Sequence, residues 1–250
     1  MGKKSGFLFM GLLSGITAGG VFAGSKLYDE VMKPVGHKEG DDKSNLITEG
    51  RRFIRQNTEK RDIFIDAIDN LRLHAVYIAA NKDAHKYVIL VHGTNDDGES
   101  MGIYAKKYLE KDVNVLIPDL RGFGQSEGNY IGYGGDDRFD IIEWIYWIVK
   151  RDADANILLH GVSMGAASVL MACGENLPEN VKGAISDSAY TSVKEIFTNA
   201  YKKMQVKKMP LFIAMPLLRI YTKIRAGFDF FEIRPIDAVT RSTTPTLFVH

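Results

Sequence analysis

Short runs of apolar residues recur along the chain, separated by stretches whose apolar positions are spaced three and four apart. Tyr87-Val88-Ile89-Leu90-Val91, Val113-Asn114-Val115-Leu116-Ile117, Asn156-Ile157-Leu158-Leu159-His160 and residues 181–186 show almost no polar alternation. Such runs predict strands buried on both faces of a parallel sheet. Between them, residues 100–110, 136–150 and 164–176 have helical spacing; in 136–150 Ile141, Trp144, Ile145 and Ile148 form one stripe, with both tryptophans read as core. Upstream, residues 43–58 predict a helix through Leu46, Ile47, Phe53 and Ile54, and residues 63–68 and 71–79 predict two strands joined by a tight turn at Asp69-Asn70. Two antiparallel strands followed by alternating buried strands and amphipathic helices predict an α/β fold with a doubly wound, mostly parallel sheet over a core of residues 60–187.

The rhythm changes at both ends. Residues 188–241 are helical in pattern, rich in Met and aromatics, interrupted by Pro210 and Pro216, and cationic through residues such as Lys202, Lys207, Lys208, Arg219 and Lys223. Placed between sheet strands, they are expected to form a helical lid insertion. Their basic face reads equally as solvated connector surface or as a lipid- or anion-facing one. Residues 242–250 start a further buried strand. At the other end no charge falls between Lys4 and Lys26, and as a helix that stretch would be about 31 Å long, enough to span a bilayer core. Residues 1–25 are therefore expected as a transmembrane anchor, contacting the membrane through residues 5–25. Lys3 and Lys4 would hold the N-terminus inside and leave the rest extracytoplasmic. The alternative is a signal peptide cleaved near Ala23 and a secreted product. Gly11, Gly15 and Gly19 have the spacing that pairs membrane helices, or are merely tolerated there. Residues 26–42 read as a polar tether, which with the helix after it fills 26–59.

Composition narrows this picture only a little. The chain has 250 residues, 45% hydrophobic and 25% charged, enough for one sizeable core. A formal net charge of +1 carries no bulk footprint of a nucleic-acid binder. The single cysteine, Cys173, excludes an intramolecular disulfide and any multi-cysteine metal site, and reads as a small core residue. No metal or organic cofactor is expected.

The chemistry concentrates in Gly161-Val162-Ser163-Met164-Gly165. The pentapeptide alone is weak, but it stands where a strand pattern ends and a helical one begins. A strand, a sharp turn with Ser at its apex and a helix make a nucleophile elbow. The glycines relieve crowding, Ser163 projects, and the Met164 amide lies at a helix N-terminus, able to donate to an oxyanion. Two more loops follow strands in order, His92-Gly93-Thr94 and then Asp119-Leu120-Arg121-Gly122-Phe123-Gly124-Gln125-Ser126-Glu127-Gly128.

Together these loops resemble the α/β-hydrolase superfamily from about residue 60 onward, and more loosely its Bem46-like or YqkD-like membrane-anchored bacterial members. The resemblance implies an α/β-hydrolase fold, Ser163 as nucleophile, and the backbone amides of Met164 and Thr94 as oxyanion hole. It gives His92, Gly93, Gly161 and Gly165 structural roles and has Asp119 and Arg121 brace their loop. Asp187 stands where some hydrolases keep an alternative acid, though it could equally orient the loop at Ser188 and Tyr190. The superfamily's order is Ser, acid, His, and the acid and His are expected after residue 250. His37, His74, His85 and His250 offer no triad member, His160 reads as core, and Asp136 and Asp137 read as helix caps rather than a metal site. The chain is thus expected to be C-terminally truncated, missing the last strands and helix, and inactive for want of a base. The implied activity of the intact protein is cleavage of carboxyl esters, the substrate a small molecule and acyl- or lipid-like. A peptidase on the same fold and a non-catalytic binding scaffold are the rivals.

Overall fold

The computed structural model of the protein describes residues 22, 24–35, 45–80, 84–94, 96–203 and 209–250. The apolar runs form strands β1 (Arg61–Asp66), β2 (Arg72–Ile78), β3 (Lys86–Val91), β4 (Asn114–Pro118), β5 (Asn156–Val162), β6 (Val181–Asp187) and β7 (Thr246–Val249). They make one seven-stranded sheet in the order β1-β2-β4-β3-β5-β6-β7. β2 is antiparallel to β1 and β4, and all later pairings are parallel. The β1–β2 hairpin turns through Asn70, whose φ of 65° is a conformation asparagine tolerates. The register sets where the loops emerge. Val91 pairs with Gly161 and Val162 with Asp187, so β3, β5 and β6 end level, and the loops after them share one edge of the sheet.

Both faces are covered, as continuous apolar strands require. On one face Val76, Ile78, Val88, Leu90, Val115 and Ile117 pack with Ile54 of α1 (Asn45–Gln56) and with Met101 and Ala105, residues of the one-turn 3-10 helix Gly98–Met101 and of α2 (Gly102–Leu109). α1 and α2 meet backbone to backbone: a Cβ on Gly102 would stand 2.0 Å from the Gly50 carbonyl oxygen. The alternating residues Ile89, Leu116 and Leu159 are equally buried and turn the other way. Helix α3 (Asp137–Val149) buries Ile141, Trp144, Ile145 and Ile148, and α4 (Met164–Cys173) is buried over its whole length. β7 is the last strand of the described sheet, and Leu247, Phe248 and Val249 are exposed there.

The chain divides into two compact units, residues 34–193 with 233–250, and residues 1–33 with 194–232. The first holds the sheet, α1–α4 and α7 (Pro235–Arg241). The second holds nearly all of α5 (Val193–Lys203), and α6 (Leu211–Arg225). Residues 24–32, expected as the last of an anchor and the start of a tether, are helical and belong to this second unit. Tyr28 and Met32, one turn apart, are buried, Arg225 bonds Asp29 at 2.9 Å and lies over the Tyr28 ring, and a Cβ on Gly24 would meet the Tyr221 ring at 2.5 Å. Residues 36–42 of the expected tether lie outside the described residues.

The expected membrane-spanning segment must be corrected here. Among the described residues no helix is long and apolar enough to cross a membrane. The described end of the expected span runs into a helix bearing Lys26, Asp29 and Glu30, too polar for a bilayer core. Residues 1–21 and 23, with Gly11, Gly15 and Gly19, lie outside the described residues.

Candidate active site

Ser163 stands between the last residue of β5 and the first of α4 with φ 54° and ψ −114°, a backbone conformation that side chains disfavour. The turn is too tight for ordinary neighbours. A Cβ on Gly161 would lie 2.3 Å from the Gly165 carbonyl oxygen, and one on Gly165 would lie 2.2 Å from that of Val91. The Ser163 amide donates to the Asp187 carbonyl at 2.7 Å, tying the elbow to the end of β6. Met164 supplies the first amide of α4, which has no carbonyl within the helix to bond and sits at the positive end of its dipole. Gly93 runs beside the elbow: a Cβ there would be 3.4 Å from Ser163 Cβ and 3.9 Å from its Oγ. Thr94 follows directly, so the loop after β3 passes alongside the serine hydroxyl.

His92 is fully buried and both its nitrogens are used. The Leu120 amide donates to Nε2 at 3.0 Å, which leaves the proton on Nδ1, 2.8 Å from the Gly93 carbonyl. A ring fixed in that tautomer positions the Gly93-Thr94 loop and has no lone pair left for a proton from Ser163.

The loop after β4 is held from inside. Asp119 accepts from the amides of Gly98 (2.8 Å) and Gln125 (2.9 Å) and contacts His74 Nδ1 at 2.7 Å. Burial opposes its charge, but the bond to His74 and these amides outweigh it and hold its carboxyl below the ordinary value. Burial likewise opposes charge on His74, and Asp119 and Asp62 overcome it, raising that pKa. A Cβ on Gly124 would collide with the Asp119 carboxylate, which explains the glycine. The Ser126 hydroxyl donates to the Asp119 carbonyl at 2.7 Å and accepts from the His74 amide at 2.9 Å. Arg121, buried, forks onto Asp140 at 2.9 and 2.7 Å and reaches Asp69 at 2.9 Å. The expected caps differ in detail. Asp136 sits at the N-cap of α3 without a side-chain cap bond and accepts from the Tyr130 hydroxyl. Asp137 accepts from the Gly134 amide at 2.7 Å, and its other oxygen is buried with no partner. Burial first, then the Asp140 charge, push its pKa up to about 7.

Asp187 ends β6 with its carboxylate accepting from the Ser188 hydroxyl at 2.8 Å. It faces Tyr104 of α2, whose phenol is raised by burial and then by that carboxylate. His160 contacts the Tyr108 hydroxyl at 3.1 Å and meets the Tyr104 ring edge-on; burial lowers its pKa, partly offset by Asp187. His85 pairs with Asp152. Among the described residues no histidine hydrogen-bonds to Ser163, and His37 lies outside them. A cavity of about 320 Å³ lies by the ends of β6 and β7, lined by Tyr190, Ile236, Val239, Phe248 and the unpartnered Ser186 hydroxyl; Ser163 does not line it. Cys173 is buried, its thiol pushed up to about 11 by burial, so it is a packing residue. Sequence reasoning passed over Asp69, Asp140 and Tyr104. Only the length of the Arg121 side chain and its pairing needs hinted at the first two, and nothing local hinted at Tyr104.

The comparisons with known proteins agree with this geometry. A family model described as serine aminopeptidase, S33, matches residues 82–229. The Bacillus subtilis protein YqkD is 26% identical over 175 residues, 70% of this chain and 57% of its own. The Escherichia coli protein YfhR is 28% identical over 138 residues, 52% of this chain and 47% of its own. The chain thus spans about half the length of the curated relatives it matches. Among solved structures, the Pyrococcus furiosus esterase Pf2001 aligns with a TM-score of 0.61 at 20% identity, covering 87% of this chain and 76% of its own. The Pyrococcus horikoshii acylaminoacyl peptidase aligns at 0.53 and 18%, covering 81% of this chain and 33% of its own. At those identities the likeness shows the fold alone. With an elbow serine on a level sheet edge and more than half its length under the family model, the chain belongs to the serine aminopeptidase S33 (Hydrolase_4) family and has the α/β-hydrolase fold.

Proposed function

We propose that the protein is a serine hydrolase that cleaves carboxyl esters of small molecules, acyl- or lipid-like, through an acyl-enzyme on Ser163. One observation carries the reading: Ser163 is held at φ 54° and ψ −114° between two glycines whose places no Cβ can take. Strain of that kind persists where surrounding structure enforces it, and here it presents a hydroxyl at a helix N-terminus. In the reaction Ser163 Oγ adds to the ester carbonyl carbon while a base takes its proton, and the carbonyl electrons move onto oxygen. The amides of Met164 and Thr94 donate to that oxyanion. Collapse expels the alcohol, which takes up a proton, and water then repeats the sequence on the acyl-enzyme. No described histidine serves as the base; His92 has both nitrogens committed. Asp187 enters as the candidate acid, its backbone already bonded to Ser163.

A peptidase on the same fold is the second reading, favoured by the family's description. An aminopeptidase needs a free carboxylate for the substrate's ammonium group. Residues 188–241 are basic, which weighs toward esters. The test, on the gene product as expressed, is a panel of p-nitrophenyl esters against aminoacyl p-nitroanilides, with Ser163→Ala as control. Ester turnover that vanishes in the variant supports the proposal. Turnover of anilides alone supports the peptidase, and no Ser163-dependent turnover of either supports a scaffold.

A further inference from the structure

The net charge of +1 conceals a division between the two units. Residues 1–33 and 194–232 hold twelve Lys and Arg against five Asp and Glu, and the other residues hold twenty against twenty-six. Lys3, Lys4, Lys207 and Lys208 lie outside the described residues; the described remainder of the helical unit holds eight Lys and Arg against five Asp and Glu, and is cationic. Asymmetry of that size between parts of one chain marks an acidic partner or surface.

The same unit carries an exposed apolar helix face. α6 buries Ala214, Met215, Leu218 and Thr222 on one side. On the other, Phe212 is 77% exposed, Ile224 75%, Ile220 52% and Ile213 42%. Pro216 and Leu217 fall on that side too, and at about 100° per residue the set spans an arc of about 140°. A soluble surface scatters such residues singly and does not align them along about three turns. Arg219 and Lys223 stand at one margin of the arc. Both are fixed there by Asp229, a buried carboxylate that Lys223 contacts at 2.9 Å, and the Arg219 guanidinium stacks on Phe231 at 4.6 Å. Glu232 also acts on Arg219, so this margin is close to neutral and the unit's surplus of positive charge is carried by its other Lys and Arg residues. Asp229 is held down to about 2, where burial is outweighed by its bonds to the two cations and to the Phe231 amide, so the arrangement persists throughout the physiological range.

We propose that this face of α6 is a docking surface for an anionic lipid bilayer, on which the helix lies in the interface. Apolar side chains would enter the acyl boundary while cations across the unit meet phosphate headgroups. This is contact along a surface, by a segment other than the one in which the sequence suggested a membrane span. It does not depend on what Ser163 catalyses.

The experiment is co-sedimentation of the full chain with vesicles of phosphatidylglycerol and phosphatidylcholine, and with phosphatidylcholine alone. It includes the triple variant Phe212→Gln, Ile220→Gln, Ile224→Gln. All three sites are exposed, so the variant should fold, which its circular dichroism and thermal unfolding check. The expected result is binding to the mixed vesicles that weakens roughly tenfold or more in the variant, and falls as salt rises from about 0.05 to about 0.5 M. Wild type failing to bind mixed vesicles overturns the proposal. So does a folded variant that binds as well as wild type, since the contact would then lie elsewhere in the chain. Equal binding to both vesicle types removes the anionic requirement and overturns the charge argument. Light scattering without lipid covers the other occupant: a dimer abolished by the triple variant would make this face a protein interface.

Discussion

Ser163 pays for its position in backbone strain, and that strain can be measured apart from activity. Glycine accepts the φ of 54° that serine resists, so Ser163→Gly should raise the unfolding free energy by about 1 kcal/mol while abolishing turnover. A denaturant titration reads the first effect and an ester assay the second; a destabilised Ser163→Gly would show that the turn is not strained. Gly165 behaves oppositely. Its Cβ would stand 2.2 Å from the Val91 carbonyl oxygen, a rigid backbone atom, so Gly165→Ala should cost at least about 2 kcal/mol and lower the soluble yield. The spacing of Gly161 and Gly165, and that a tight turn would crowd any side chain there, were readable in the sequence; which backbone atoms do the crowding was not. Neither has positive φ among the described glycines; each is needed because another backbone passes close by, which only the fold reveals.

At the scale of elements, the loop after β4 depends on distant partners in the same way, through charges. Arg121→Ala would leave Asp140 buried without its partner, and the expected loss is about 3–5 kcal/mol, read as a lowered unfolding midpoint. If Arg121 instead contacted substrate, the variant would keep its stability and lose activity. That Asp119 and Arg121 brace their loop was implied by the resemblance to the α/β-hydrolases. Their partners His74, Asp69 and Asp140 were not, being 45, 52 and 19 residues away. Buried strands announced themselves by composition and α3 by its apolar stripe. Residues 24–32 did not, because Tyr28 and Met32 are a single apolar pair among charges, and only the neighbours Tyr221 and Arg225 make that pair a packed face.

For the whole molecule, two buried groups give stability the same dependence on pH. Asp137 keeps its proton in the folded state up to about pH 7, whereas the unfolded chain releases it near its ordinary value of 3.8. Between those values the native state binds more protons, so stability falls as pH rises. The raised pKa of His74 acts in the same direction: its contribution is whole below 6.5 and is lost as pH climbs through the higher folded value. The lowered pKa of Asp119 acts oppositely, its contribution being lost only as pH falls below the ordinary range. The unfolding midpoint should therefore peak on the acid side of neutrality and decline toward pH 8, and Asp137→Asn should flatten the part of that decline below pH 7. A midpoint that rises steadily from pH 5 to 8 would contradict both assignments. The fold was legible in the sequence because it rests on repeated patterns. The division of charge between the units was not, since residues 1–33 and 194–232 are distant in the chain and their sum cancels in the total.

The central claim is that Ser163 is a nucleophile, and the most direct measurement is mass-spectrometric mapping of a fluorophosphonate adduct on the gene product as expressed. The expected result is one adduct on the peptide containing Ser163, absent from a folded Ser163→Ala variant. A folded protein that takes up no probe, or an adduct that persists in the variant, would contradict the claim.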